Sequence, residues 1–333
     1  MTDMKRVACT AGWAAFLLLS GPSSLAATVF VADEGGRSVT AIDSVTGKSQ
    51  RLGIDVAPHN VELTPDGKML LVVGTASNHG HASVTAAGIL LLLETNGLEM
   101  KPRASIEVGG HPAHVVPDMT GRLAFVTDAE TNSVVIVDLV GRQAKARVKV
   151  GRYPHGLRLS PDGGTLAVAN RDSGTVSLID TSDTSRVSSI EVGKAPVQVA
   201  FHPSGRTLFV TLNQENRVAA IDLGSGQVKG RYQVGGGPIQ VSVSPDGTKV
   251  VVANQGTKSK PSRTVSILDA ATGKARNSVT VGSGAHGVAI SPDSQTAFVT
   301  NTFDNSLSIV DIVAGKEVAK HGTGAGPNGV AVR

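Results

Sequence analysis

The chain has 333 residues and a formal net charge of +4 at pH 7, and 40% of its residues are hydrophobic while only 3% are aromatic. Its single cysteine excludes an intramolecular disulfide framework. Nucleic-acid grooves combine clustered basic residues with stacking aromatic side chains. The sequence has no block of basic residues and few aromatic residues, so we do not expect a nucleic-acid partner.

Residues 1–26 have the three parts of a secretory signal peptide. Lys5 and Arg6 precede an apolar run, and the small-x-small sequence at 24–26 is a cleavage site. The apolar run is too short to span a bilayer as an uncleaved anchor. Cleavage leaves residues 27–333, which contain no cysteine and no membrane span. We therefore expect a periplasmic protein.

The rest of the chain repeats one unit. Pro112, Pro154, Pro196 and Pro238 recur every 42 residues, a period typical of four-stranded propeller blades. In the copy at 151–192, four short β-rich runs are separated by turn residues, including a Ser-Pro-Asp-Gly corner. Each unit therefore predicts one blade of a β-propeller.

The number of units follows from their third strands, each of which ends in an acidic residue after an apolar one. Residues 28–54 supply three strands without a first strand, and residues 326–333 supply a first strand alone. Pairing of these two segments would close the ring and leave only short protected edges. The sequence thus predicts an all-β fold, a seven-bladed β-propeller that forms a single domain over residues 27–333. The seven third strands end at Asp43, Glu94, Asp138, Asp180, Asp222, Asp269 and Asp311.

Short motifs within the units resemble those of a known family. Val-Ala-Asn occurs at 168–170 and 252–254, Phe-Val-Thr-Asn occurs at 298–301, and Ser-Pro-Asp-Gly turns recur. These motifs resemble the YVTN family of bacterial β-propeller repeat proteins, over residues 28–333. The resemblance implies the propeller architecture. It implies no single activity, because members of that family have unrelated roles.

The order of strands within a unit places several histidines on one face of the disc. The innermost strand starts at this face, which we name the top face, beside the central channel. The loop between the second and third strands also lies there, and in the unit at 55–108 this loop carries an insertion with two histidines. Six of the nine histidines map to the top face, namely His59, His79, His81, His114, His155 and His286.

A cluster of histidines at a channel mouth predicts a metal site. Neutral imidazole is the commonest metal ligand near neutral pH, and an all-histidine set without cysteine suits copper, zinc or iron. We therefore predict that these six histidines are metal ligands. A structural role at a strand end is the alternative for each of them, because alternation also allows His59, His155 and His286 to face a blade interface. Glu62, on the same inner strand as His59, is a candidate partner of an imidazole or a general base.

These patterns support three functions. The first is an exported propeller that binds a metal ion, a metal cofactor or a partner at the top face. The second is a metal-dependent enzyme on that face, either an oxidoreductase or a lactonase-like hydrolase, since bacterial propeller lactonases share repeats of this style. The third is a protein- or DNA-binding scaffold without metal. We expect a monomer whose partner is a periplasmic protein or a small ligand.

Overall fold

A computed structural model describes residues 27–76 and 87–333, and the predicted signal peptide lies outside them. Within these ranges the chain forms seven four-stranded antiparallel sheets, which are the blades of one ring. We number the strands in chain order. The first eleven are β1 (Thr28–Asp33), β2 (Ser38–Asp43), β3 (Ser49–Gly53), β4 (Val56–Leu63), β5 (Met69–Ala76), β6 (Gly88–Asn96), β7 (Glu99–Gly109), β8 (Pro112–Pro117), β9 (Leu123–Asp128), β10 (Ser133–Asp138) and β11 (Gln143–Lys149).

The remaining strands continue the same pattern, with one short 3₁₀ helix at Asn213–Glu215. They are β12 (Pro154–Leu159), β13 (Thr165–Asn170), β14 (Thr175–Asp180), β15 (Val187–Glu191), β16 (Pro196–Phe201), β17 (Thr207–Leu212), β18 (Arg217–Asp222), β19 (Gln227–Gln233), β20 (Pro238–Val243), β21 (Lys249–Gly256), β22 (Pro261–Asp269), β23 (Ala275–Thr280), β24 (Ala285–Ile290), β25 (Thr296–Asn301), β26 (Ser306–Asp311), β27 (Lys316–Gly322) and β28 (Pro327–Val332). Across the two described ranges, no helix is long and apolar enough to cross a membrane.

The predicted corners form by local hydrogen bonding. In the turn between β12 and β13, Ser160 donates its hydroxyl to the Asp162 carboxylate, which also accepts the main-chain N–H of Gly164 at 3.0 Å. Gly163 adopts φ of 74°, the left-handed region that glycine enters without strain. These contacts are made within six residues, so each unit specifies its own turn.

The hydrophobic core lies between blades rather than at the centre of the ring. One buried cluster joins Leu71 and Leu90 of one blade to Val115, Val126 and Val135 of the next. Comparable clusters occur between other neighbouring blades of the described chain. The outer strands such as β3 and β15 are mostly exposed. The apolar side chains therefore hold the blades together and leave the inner strand ends free to carry polar groups.

The termini close the ring as predicted. Strand β28 pairs with β1, and the main-chain groups of Thr28 and Arg333 exchange two hydrogen bonds of 3.0 Å each. Farther along, the N–H of Glu34 donates to the Gly326 carbonyl at 3.0 Å. The seven-bladed architecture and its composite closing blade are confirmed.

Candidate metal centre at the channel mouth

Several innermost strands share an irregularity in their pairing, which lies directly after the first residue of the strand. In β12, Pro154 pairs with Asn170 and Leu157 pairs with Val168, so the two residues after the proline oppose a single residue of β13. Two residues facing one define a β-bulge, which re-aims side chains. The same shift follows the first residue of β8 and of β24. Both positions after the opening residue can therefore reach the channel.

Four of the predicted histidines meet at this level. His59 and His155 directly follow Pro58 and Pro154, His286 directly follows Ala285, and His114 is the second residue after Pro112. The ring centroids of His59 and His155 are 5.3 Å apart, and those of His114 and His155 are 5.0 Å apart. The His59 ring lies 5.7 Å from the ring of His114 and 5.8 Å from the ring of His286.

Three of these rings have the spacing of a ligand set. His59, His114 and His155 each offer one nitrogen, and these three nitrogens all lie within 4.8 Å of one another. Nitrogen ligands about 2.0–2.1 Å from a tetrahedral ion would lie roughly 3.4 Å apart, so small ring rotations would complete the set. The bulge explains why His114 joins the others although it lies one residue later in its strand.

Neighbouring groups orient two of the imidazoles. Nδ1 of His155 lies 3.2 Å from the carbonyl oxygen of Val197, so Nδ1 carries the proton and the Nε2 lone pair remains for a ligand. Nδ1 of His59 lies 3.5 Å from the carboxylate of Glu34. Carbonyl and carboxylate partners of this kind fix the tautomer of metal-binding histidines. Both rings are therefore arranged to present Nε2.

The third imidazole, His114, contacts an amide. Its Nδ1 lies 3.4 Å from Nε2 of Gln198, whose Oε1 accepts the N–H of Val199 at 2.9 Å. At 3.4 Å the amide contact is longer than an ordinary hydrogen bond. It therefore leaves the ring free to turn its Nε2 toward an ion.

Several buried imidazole nitrogens at this mouth have no hydrogen-bond partner among the described residues. They are Nε2 of His59, Nε2 of His114 and Nδ1 of His286. Nearly all buried polar atoms in proteins are hydrogen-bonded, so three such atoms at one place require an explanation. A cation bound by His59 and His114 satisfies two of them, and the chemistry of the donor set fits copper, zinc or iron.

Three of the clustered histidines, His114, His155 and His286, are uncharged at neutral pH, as metal ligands must be. Burial lowers the pKa of His114 well below its ordinary value, and the neighbouring imidazoles of His155 and His59 lower it further. Burial has the same effect on the pKa of His155, again reinforced by His59. Burial lowers the pKa of His286 to about 3. Protons therefore compete weakly with a metal ion at these rings.

Three predicted residues remain. His79 and His81 fall outside the described residues. Glu62 lies 3.6 Å from the guanidinium of Arg158, and burial raises its pKa against the opposing effect of that cation. Among the described residues, the carboxylate that contacts a histidine of the cluster is that of Glu34, which no sequence motif indicated. The sequence did contain an indication for Glu34. This residue starts the loop between β1 and β2, the second and third strands of their blade, and such loops lie on the top face.

Comparison with known proteins supports the architecture. Residues 182–333 match a family model described as a YNCE-like beta-propeller. This match covers less than half of the chain and supports a β-propeller family, without testing the narrower YVTN name. No curated protein sequence matches the chain significantly.

Solved structures resemble the whole ring. A structure of hydrazine synthase from Kuenenia stuttgartiensis is 23% identical, with a TM-score of 0.69, and the match covers 84% of this chain and 90% of that chain. The periplasmic gluconolactonase PpgL of Pseudomonas aeruginosa is 18% identical, with a TM-score of 0.74, over 92% of this chain and 98% of that one. A putative 6-phosphogluconolactonase from Bacteroides fragilis is 14% identical, with a TM-score of 0.76, over 94% and 99%. At these identities the similarity shows the fold alone.

Proposed function

We propose that this chain is an exported β-propeller that binds a divalent transition-metal ion at the top of its channel through His59, His114 and His155. The observation that carries the proposal is the convergence of three ligand nitrogens within 4.8 Å. Copper, zinc and iron are the metals that an all-imidazole set favours. His286, whose ring lies 5.8 Å from that of His59, lies outside this set of three, so the fourth position on the ion stays open.

The surroundings support binding at neutral pH. The Val197 carbonyl and the Glu34 carboxylate hold two of the rings, and burial keeps His114 and His155 neutral. The signal-peptide pattern of residues 1–26 supports export to the periplasm. We further propose that the mature chain is a monomer whose partner is a small ligand or a periplasmic protein.

Metal analysis tests the proposal directly. The mature protein would be purified from the periplasm without a histidine tag, and its copper, zinc and iron content would be measured, followed by calorimetric titration of metal-free protein with Zn²⁺. We expect one equivalent of metal in the wild type. The double variant His59→Ala, His155→Ala should lose it, because a single remaining imidazole of the set cannot hold the ion.

A matched control removes two histidines that have other partners. Nε2 of His202 lies 3.0 Å from the Gly247 carbonyl, and Nε2 of His321 lies 3.2 Å from the Ser44 carbonyl. The variant His202→Ala, His321→Ala should therefore keep its metal. Full metal content in the channel double variant, or no uptake of any of the three metals by the wild type, would overturn the proposal.

A lactonase-like hydrolase on the same face is a second candidate. Three protein ligands leave the fourth position open, which is the arrangement of catalytic zinc sites. Two of the similar structures are a gluconolactonase and a putative 6-phosphogluconolactonase. The candidate predicts zinc-dependent hydrolysis of glucono-δ-lactone that disappears in His59→Ala. Metal binding without hydrolysis would contradict the hydrolase candidate and support metal binding as the function.

A further inference from the structure

An aromatic residue and a cation lie together on the rim beside the candidate metal centre. Tyr153 directly precedes the strand that carries His155. Arg171 follows the paired strand, and its N–H donates to the Tyr153 carbonyl at 2.9 Å. The guanidinium carbon of Arg171 lies 5.5 Å from the centre of the Tyr153 ring, a cation–π contact. The two side chains therefore form one unit at the channel mouth.

Tyr153 occupies a backbone position that does not favour it. Its φ is 53°, in the left-handed region that bulky residues rarely enter. The same position before the inner strand is Gly237, Gly284 and Gly326 in three other blades, all with positive φ. Ala195 holds the same conformation before β16, with φ of 51°, so the left-handed backbone belongs to the repeat and the large side chain is what sets Tyr153 apart.

The Tyr153 side chain does not join the hydrophobic clusters of the described chain. It is half-buried, and its hydroxyl lies 3.4 Å from Nε2 of the exposed His111. Its ring therefore stays at the rim, where it supports Arg171, rather than stabilising a blade interface.

Arg171 retains donor capacity at the rim. Its side chain is 41% exposed, and its ion pair with Asp172 is long, at 3.7 Å. The residue before Arg171, Asn170, pairs with Pro154, the residue before His155. Arg171 therefore lies at the same end of the blade as His155.

The charges of the mouth favour an anion once a metal ion is present. Three neutral imidazoles compensate none of the charge of a divalent ion. Among the described residues, the carboxylate of Glu34 lies beside the His59 ring and contributes one negative charge. Arg171 adds a further positive charge on the side of His155. A bound anion would neutralise the positive charge that remains. A planar guanidinium is suited to bind the oxygens of a carboxylate.

We infer that the channel mouth takes a small carboxylate, with one oxygen on the open position of the metal and the other accepting a hydrogen bond from Arg171. Tyr153 is a positioning residue that holds the guanidinium over the mouth. The inference rests on the proposed metal-binding function and names the class of ligand that the site accepts.

Cobalt-loaded protein gives separate readouts for the metal and for the anion. Co²⁺ binding would be measured first from its visible absorption, and acetate would then be titrated while the change in that absorption is followed. Arg171→Ala should bind Co²⁺ as the wild type does and should bind acetate about tenfold more weakly, the scale of one hydrogen bond to a charged group. Arg171→Lys keeps the charge without the planar fork and should recover little of that affinity.

Two further variants separate positioning from structure and from general charge. Tyr153→Gly should weaken acetate binding without lowering the melting temperature, because glycine already occupies this position in other blades. Lys258→Ala removes an exposed positive charge from a loop on the same face and should leave acetate binding unchanged. Equal acetate affinity in the wild type and Arg171→Ala, with Co²⁺ bound in both, overturns the inference alone. Failure of the wild type to bind Co²⁺ overturns the inference together with the metal site.

Discussion

The carboxylate of Glu34 lies 3.5 Å from Nδ1 of His59, and Asn328 donates a hydrogen bond to the same carboxylate. Glu34 follows β1 and Asn328 belongs to β28, so the contact joins the two ends of the chain at the channel mouth. Burial opposes the ionised form of Glu34, but the hydrogen bond with His59 helps to lower its pKa overall. Closure of the ring thus brings an ionised carboxylate to a proposed metal ligand.

Replacing Glu34 by glutamine tests this contact. Glu34→Gln keeps the shape and an oxygen that Asn328 can bond, but it removes the negative charge that makes His59 a better ligand. Loss of such a partner typically weakens metal binding about 10–100-fold. We expect a fall of this size in Zn²⁺ affinity, measured by competition with a chelator, at an unchanged melting temperature. The control Glu107→Gln neutralises an exposed carboxylate on β7. An equal loss of affinity in both variants would contradict the role of Glu34.

Stability of the metal-free protein should fall in mild acid because His286 is buried and neutral. Its side chain is 5% exposed, and burial lowers its pKa from 6.5 to about 3. Below pH 6.5 the unfolded chain binds a proton that the folded chain excludes, so stability is complete above pH 6.5 and is lost as the pH falls toward 3. At pH 5.5 this single group should cost about 1.4 kcal/mol. Chemical denaturation at pH 7.5 and 5.5, with a chelator present, measures the difference.

The variant His286→Asn isolates this effect, since Asn328 occupies the equivalent position in β28. Between pH 7.5 and 5.5, the free energy of unfolding of this variant should fall less than that of the wild type, by about the 1.4 kcal/mol assigned to His286. An unchanged pH dependence would show that His286 is protonated in the folded protein.

The fold was predictable from the sequence because each blade is specified locally. The corner built by Ser160, Asp162 and Gly163 lies within a few residues, and its recurrence gives the period. The meeting of His59, His155 and His286 also followed from their shared position in the repeat. Glu34 did not follow, because its contact depends on how β1, β4 and β28 approach one another after closure. Glu62 shares a strand with His59, but its partner is Arg158, ninety-six positions away in sequence. The predicted roles of His79 and His81 stay predictions.

A glycine in the channel wall should be intolerant of even one methyl group. A Cβ at Gly156 would lie 2.2 Å from Oε1 of Gln198 and 2.6 Å from the Val197 carbonyl oxygen. Gln198 crosses this space to reach His114, so Gly156→Ala must displace it or the backbone. Overpacking of this kind typically costs about 1–3 kcal/mol. We expect a lower melting temperature and weaker Zn²⁺ binding. Gly53→Ala is the control, because a Cβ there meets no atom within 4 Å.

Removal of the last strand should destabilise the whole ring. A chain that ends at residue 325 lacks β28, so the closing blade loses its innermost strand and β1 becomes an open edge. It also lacks Asn328, the partner of Glu34. We expect the melting temperature to fall by roughly 10 °C or more, or the cooperative transition to disappear, when unfolding is followed by circular dichroism. Arg333→Ala is the control, because it removes side-chain bonds to the Gly67 and Gly97 carbonyls but leaves the strand. A truncated chain that melts with the wild type would show that the seventh blade does not need its C-terminal strand.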